Sequence, residues 1–241
     1  RDRPMQGRGV KAFRDSPISN RWLYDQKLLK PHWFLQALKF RTNTAPVKVV
    51  MAHVRPTDDV SCRRCSTAVN KPHETLGHIL GQCPYTKDMW VHRHDEVVQK
   101  LGRCLSGRAR TMLSIEETII LTNGTALKPD LVVFNEAKKE VAVVDVAVRM
   151  EEYLQEAAEE KVRKYQCLKE TLMRRHSAEK FVVRPITLGA RGCVPIETAK
   201  HLRALEVPGR FYAPMVLGCL QSSMCMFSAF MDGSIVRVRR R

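Results

Sequence analysis

The chain has 241 residues and a mass of 27.6 kDa, a length that suits one large domain or two small ones. Hydrophobic residues make up 44% and charged residues 27%, which excludes a disordered acidic chain and a collagen-like or low-complexity chain. The net charge of +16 predicts polyanionic partners, and we expect no membrane span because charges or glycines interrupt the apolar stretches. Because the chain begins at Arg1 and shows no apolar signal segment, we expect a piece of a longer polypeptide.

Residues 1–55 form a basic region with twelve Lys and Arg residues against three Asp residues. Apolar residues recur at helical spacing on both sides of Pro31, which predicts two short helices that are basic on one face. Trp22 and Trp33 can be core residues of this helix pair or can contact nucleic acid directly, and the sequence leaves both interpretations open. We interpret the region as a basic helical linker.

The segment 56–88 carries four residues with the spacing of metal ligands: Cys62, Cys65, His78 and Cys83. A Cys-x2-Cys turn directs two thiolates to one point, and a His-x4-Cys pair on a short helix completes a tetrahedron. We therefore predict a closed structural zinc site, a CCHC knuckle. His73 is a competing nitrogen donor at a poorer spacing, and reduced cysteines in a metal-free loop are the other alternative. Arg63, Arg64 and Lys71 are candidate nucleic-acid contacts of the knuckle.

From residue 88 onward the pattern predicts an α/β or α+β architecture, with a mixed sheet flanked by helices. A helix over residues 88–105 comes first. Runs rich in β-branched residues predict strands at 114–122, 128–135, 140–149 and 181–189. Strong helix formers and apolar periodicity predict helices at 151–176, 198–205 and 213–231.

Two aspartates belong to neighbouring predicted strands. Asp130 follows Pro129, and Asp145 lies inside a β-branched run, where an unpaired carboxylate costs several kcal/mol. If the strands form a hairpin, both can hold Mg²⁺ through oxygen ligands and so activate a water for attack on phosphate. Lys161 and Tyr165 lie four residues apart on one face of the next helix and make a phosphate-facing pair. Each also has a structural interpretation, as a turn residue, a surface lysine or a core tyrosine.

The order KPD, VVDV and EKVRKY, downstream of a Cys-Cys-His-Cys knuckle, resembles one protein family over nearly the whole chain. It is similar to the carboxy-terminal part of the proteins of site-specific non-LTR retrotransposons with a restriction-enzyme-like endonuclease, notably elements that insert into ribosomal RNA genes. The resemblance implies a PD-(D/E)xK fold that nicks target DNA, so that the exposed 3′ end primes reverse transcription. It also implies an upstream reverse transcriptase domain, with residues 1–55 as the linker after its thumb.

The resemblance assigns roles to individual residues. Asp130 matches the PD aspartate, Asp145 the second acidic ligand, and Lys161 with Tyr165 the lysine and tyrosine that this family places on the following helix. The lysine that nucleases of this fold usually carry two residues after the second acid is replaced by Ala147, so its role must move to Lys161. The implied cofactors are structural Zn²⁺ and catalytic Mg²⁺. The implied partners are double-stranded target DNA and element RNA, and the implied location is the nucleus, including the nucleolus.

Further candidates surround these motifs. Arg93 and His94 can touch the DNA backbone or cap their helix. Glu96, Glu116 and Glu117 can supply another carboxylate, although a solvated surface role is the simpler interpretation.

We predict three regions, 1–55, 56–88 and 89–241, and a metal-dependent DNA endonuclease as the leading function. One alternative is a non-cleaving nucleic-acid-binding platform of the same fold. An isolated zinc-containing regulator explains the knuckle but leaves the nuclease-like segment unexplained.

Overall fold

A mixed sheet flanked by helices organises the chain, as predicted. The computed structural model describes residues 6–57, 59–65 and 71–234. The strands are β1 Thr111–Ile115, β2 Ile119–Ile120, β3 Ala126–Leu127, β4 Leu131–Asn135, β5 Glu140–Arg149 and β6 Lys180–Gly189. The helices are α1 Pro17–Tyr24, α2 Pro31–Arg41, α3 Lys48–Met51, α4 Leu76–Gly81, α5 Lys87–Leu105, α6 Leu154–Tyr165, α7 Lys169–His176, α8 Ile196–Ala204 and α9 Tyr212–Asp232.

The main sheet has the strand order β1-β4-β5-β6. Strands β4 and β5 are antiparallel and β5 and β6 are parallel, with the helices α6 and α7 in the connection between the parallel pair. Strand β5 is buried from Val141 to Val148, because α5 and α6 both pack against it. A continuous β-branched run suits a central strand that is covered on both faces.

Two predicted elements are divided in the structure. The predicted strand 114–122 becomes β1 and β2, because Glu116 between them has a φ of 49° and breaks the extended conformation. The predicted helix 151–176 becomes α6 and α7, joined by a 3₁₀ turn at Gln166–Leu168. Both helices pack along β6.

The amino-terminal helices share one hydrophobic core with the sheet. Trp22 is 1% exposed and therefore a core residue, and Phe40 packs edge-on against Phe227 of α9 with 5.4 Å between ring centroids. The same core contains Ile79 of α4 and Val144 of β5. Residues 6–57 thus pack against the rest of the described chain, and the boundaries at 55/56 and 88/89 stay predictions.

The carboxy-terminal helix is an exception to the expectation that no segment is apolar enough to span a membrane. Residues Gly209–Asp232 are long and apolar enough to cross a membrane by length and composition. Core helices meet the same criterion, and 56% of the apolar window is buried inside the protein. Helix α9 packs against α1, α2, α4 and α5, so it serves as the central helix of the core.

Candidate active site and metal centre

A buried carboxylate, Asp145, lies at the centre of the predicted catalytic group. Asp145 lies on β5 and is 3% exposed, and the Tyr165 hydroxyl donates a 2.6 Å hydrogen bond to its Oδ1. The Lys161 ammonium lies 2.7 Å from Oδ2. Among the described residues, Oδ2 accepts no hydrogen bond of normal angular geometry, so the lysine neutralises it by charge alone. One turn of α6 separates Lys161 and Tyr165 and directs both at one carboxylate.

Asp130 comes to the same part of the sheet from the neighbouring strand. The register pairs Leu131 with Val144, and one further step places Asp130 opposite Asp145. The backbone N–H of Val146 donates a 2.6 Å hydrogen bond to Asp130 Oδ2. Because opposite residues of an antiparallel pair project to the same side, both aspartates lie together. The predicted hairpin convergence is therefore present.

A histidine from α5 completes this group. His94 Nε2 lies 3.2 Å from Asp130 Oδ2, and Nδ1 lies 3.1 Å from Asp95 Oδ1. Burial disfavours the charged imidazole, but the bonds to both carboxylates outweigh it and raise the pKa of His94 to about 9. The sequence predicts that His94 contacts the DNA backbone or caps its helix. The structure instead places it beside a predicted metal ligand.

Tyr165 remains a neutral hydrogen-bond donor to Asp145, and Lys161 on α6 provides the ammonium group beside that carboxylate. Burial, together with the hydrogen bond to Asp145, raises the pKa of Tyr165 well above its usual value, so the phenol stays a neutral donor. Ala147 is buried within β5, and Lys161 supplies the cation to Asp145 from the helix instead. The ammonium group beside Asp145 therefore comes from α6 and not from the strand itself.

Three cysteines and one histidine form a cluster that can hold a metal ion: Cys62, Cys65, His78 and Cys83. The Cys83 sulfur lies 3.9 Å from the sulfur of Cys62 and 3.8 Å from that of Cys65, and His78 Nε2 lies 3.4 Å from the Cys65 sulfur. Zinc–sulfur bonds of ~2.3 Å in a tetrahedron give sulfur–sulfur edges of ~3.8 Å. The donors and distances are consistent with a structural zinc.

The ligand set agrees with the preferred spacing. His78 lies on α4, capped by Thr75, whose hydroxyl accepts a 3.0 Å hydrogen bond from the His78 N–H. His73 instead forms a β-bridge with Ser61. Burial raises the pKa of the Cys83 thiol to about 12, so a thiolate at this position needs a nearby cation.

Several predicted contact residues are engaged within the protein. Arg93 is 1% exposed and donates to Ser223 Oγ and to the carbonyl of Leu80, at 2.7 and 2.8 Å. The predicted DNA contact of Arg93 is therefore wrong, because its guanidinium has no access to a duplex. Arg63 forms a double hydrogen bond with buried Glu74.

Arg64 also has a structural role. It donates to the carbonyl of Phe230, near the end of α9, at 3.0 Å. Lys71 is exposed, and its nucleic-acid contact stays a prediction.

The additional acidic candidates have other partners. Glu96 accepts a 3.3 Å hydrogen bond from Ser222. Glu116 pairs with Lys128 at 3.5 Å, and Glu117 pairs with Arg175. These contacts favour the surface interpretation of all three glutamates.

Sequence comparison identifies relatives among retrotransposon proteins. The chain is 28% identical over 233 residues to a "Retrovirus-related Pol polyprotein from type-1 retrotransposable element R2" of Popillia japonica, covering 93% of this chain and 31% of the relative. Two further Pol polyproteins of that name and organism are 27% and 26% identical, over 96% and 97% of this chain and 47% and 38% of their own lengths. The chain spans less than half the length of these relatives. No protein-family model matches it.

Proposed function

Because this chain is related to the Pol polyproteins of R2-type retrotransposable elements, as its motifs indicated, we propose that it is the Mg²⁺-dependent DNA endonuclease part of such a polyprotein. One observation carries the proposal. Buried Asp145 forms an ion pair with Lys161 and accepts a hydrogen bond from Tyr165, both on α6. Asp130 lies opposite it, next to the neighbouring strand β4. These residues on a mixed sheet support our proposal of a PD-(D/E)xK core.

The two aspartates would hold the Mg²⁺ ion. Carboxylate oxygens are the ligands that this ion prefers. Among the described residues, Asp145 Oδ2 accepts no regular hydrogen bond and faces only the Lys161 ammonium, at 2.7 Å. When bound, the ion supplies an acidified water and neutralises charge on the phosphate. The Val146 N–H and His94 hold Asp130 in position, and the Tyr165 hydroxyl fixes the rotation of Asp145.

The reaction is hydrolysis of one phosphodiester in the target duplex. The oxygen of water forms a bond to phosphorus, the bond from phosphorus to the 3′ oxygen breaks, and that oxygen takes a proton. Lys161 stabilises the negative charge that develops on the phosphate oxygens. The product is a 3′-hydroxyl end, which can prime reverse transcription.

The Cys3His cluster would hold zinc in a closed structural site. Its four protein ligands leave no position for a substrate or catalytic water. The ion would fix α4 against the loop that carries Cys62 and Cys65, next to the end of α9. We assign it no step in the reaction.

The relatives define the proposed setting. Their names describe Pol polyproteins, so an upstream reverse transcriptase domain is the proposed partner in the same polypeptide. Double-stranded DNA, with ribosomal genes as the proposed target, and element RNA are the proposed nucleic-acid partners. A chromosomal target requires action in the nucleus, including the nucleolus.

A nicking assay tests the function. The chain is incubated with Mg²⁺ and supercoiled plasmid or ribosomal-gene duplex, and nicked product is measured. Asp145→Ala should abolish nicking but retain DNA binding, because it removes a metal ligand and no phosphate contact. Glu96→Gln, which removes a carboxylate that accepts its hydrogen bond from Ser222 of α9, is the matched control and should cut normally. Undiminished nicking by Asp145→Ala would contradict the assignment.

The alternative is a non-cleaving nucleic-acid-binding platform. The observation in its favour is the 2.7 Å ion pair of Lys161, which already neutralises Asp145 without a metal. A platform predicts that DNA binding is unaffected by Mg²⁺ and that the wild-type chain leaves supercoiled DNA intact. The same nicking assay therefore separates the two functions.

A further inference from the structure

A short β-hairpin projects from the chain beside the two aspartates. It consists of β2 and β3 and the turn between them, and both of its ends lead directly to the candidate active site. On one side the Glu116 N–H donates a 2.8 Å hydrogen bond to the Asp130 carbonyl. On the other, β3 ends at Leu127, three residues before Asp130. The position of the hairpin is therefore fixed relative to the carboxylates.

The inner face of the hairpin is anchored in a small hydrophobic core. Ile119 is 4% exposed and belongs to the same cluster as Tyr165, with Leu121 and Leu127 packed against it. A hairpin of two residue pairs is marginal in isolation, and this packing supplies the apolar support that it needs. Tyr165, which orients Asp145, and the base of the hairpin therefore pack in the same hydrophobic cluster.

The turn has a defined geometry. The Leu121 N–H donates to the Thr125 carbonyl, and the Gly124 N–H donates to the Leu121 carbonyl, both at 2.9 Å. Gly124 has a φ of 79°, and Asn123 Oδ1 accepts a 3.0 Å hydrogen bond from Thr125. A three-residue loop ending in a left-handed glycine is a common hairpin connection. The loop is preformed for contact.

The outer face is exposed and uncharged. Ile120 is 68% exposed, and the turn residues Thr122, Asn123 and Thr125 are exposed as well. Residues 118–127 contain no charged side chain, although the whole chain has a net charge of +16. An uncharged tip gains little from phosphates, whereas Thr, Asn and Ile are suited to base edges and thymine methyl groups.

We propose that this hairpin enters the major groove of the target duplex beside the scissile phosphate and reads base edges there. The proposal rests on the proposed function, since it requires the duplex to lie at Asp130 and Asp145. A two-stranded β-ribbon fits the major groove of B-form DNA. The seven residue-to-residue steps from Glu116 to Asn123 span at most roughly 25 Å even if fully extended, less than the ~34 Å of one helical turn. The bases read are therefore within one turn of the cut.

Selection from a pool of randomised linear duplexes tests the hairpin without requiring cleavage. The full chain carrying Asp145→Ala binds the pool in Mg²⁺ buffer, and bound DNA is sequenced. The comparison protein adds Thr122→Ala and Asn123→Ala, which leave Gly124 and the buried face unchanged and remove the Asn123–Thr125 hydrogen bond together with the side chains of the tip. Ser228→Ala, an exposed truncation on α9, is the matched control. A third variant, Ile120→Ala, tests the apolar contact alone, and thermal melting verifies that each variant folds.

In the variant with Thr122→Ala and Asn123→Ala, we expect the enrichment of the preferred bases to fall roughly tenfold, while the affinity for total DNA changes by less than about threefold. Ile120→Ala should relax preference only where thymine is favoured. Identical enriched sequences with and without the tip substitutions, or no enrichment by the chain with an intact hairpin, would overturn the proposal. Nicking by the unsubstituted chain is measured separately. Sequence enrichment without nicking would contradict the endonuclease and still support the hairpin as a DNA contact.

Discussion

Replacing Lys161 with methionine separates its electrostatic role from its packing. Methionine keeps an unbranched side chain on α6 but removes the cation 2.7 Å from Asp145, which is 3% exposed. Breaking a buried ion pair by removing one partner costs 3–5 kcal/mol in general, and Lys161 itself keeps 19% of its side chain exposed. We therefore expect a loss of about 3 kcal/mol in the free energy of unfolding. Nicking should fall roughly 100-fold or more, because a charge that stabilises the transition state is lost.

Two measurements on four proteins test this reasoning. Urea denaturation gives the stability of wild type, Lys161→Met, Asp145→Asn and the double variant, and Mg²⁺-dependent nicking gives the activity. The cost of Lys161→Met should shrink to well under about 1 kcal/mol in the Asp145→Asn background, because no buried carboxylate remains to be neutralised. Lys161→Arg keeps the charge and is the control for folding. An equal cost in both backgrounds would refute the ion pair, and full nicking by Lys161→Met would refute the catalytic lysine.

Other predictions concern the knuckle and the DNA surface. Cys62→Ser with Cys65→Ser should release about one zinc per chain, measured by elemental analysis, and a metal-free wild type would contradict the site. Although burial raises the pKa of Glu74, its bonds to Arg63 and to backbone N–H groups outweigh that effect and leave the pKa lowered. The pair therefore stabilises the fold above pH 4.5, and this contribution is lost as pH falls through the lower folded-state pKa. Glu74→Gln should cost about 2 kcal/mol at pH 7, with the difference from wild type closing in acid; a gap independent of pH would count against it. DNA binding should weaken steeply with salt because Lys and Arg contacts displace counterions, and a flat profile would exclude a phosphate-tracking surface.

Features set by local spacing could be predicted from the sequence. The zinc-type ligands follow from two short-range spacings, and the choice of His78 over His73 follows from the helix that carries it. Lys161 and Tyr165 meet one carboxylate because four residues make one helical turn. Asp145 stands out because a carboxylate in a β-branched run needs compensation.

Features set by tertiary packing could not be predicted. Arg93 and His94 are adjacent on α5, yet one is buried against α9 and the other reaches Asp130, 36 residues away. No local sequence pattern predicts that these two neighbouring side chains have different partners. The break between α6 and α7 contains neither proline nor glycine, so apolar periodicity continues through it. Both helices pack on β6, a contact that the local sequence does not encode.

The shared hydrophobic core determines how the chain can be shortened. A fragment that begins at residue 89 would lack Trp22, Phe40 and α4, and so would uncover the side of α9 that they occupy. Expression of such a fragment should yield aggregates, because an apolar helix of that length has little else to cover it. Gene trimming or domain grafting must therefore keep the amino-terminal helices and the Cys3His segment together with the sheet that carries Asp130 and Asp145.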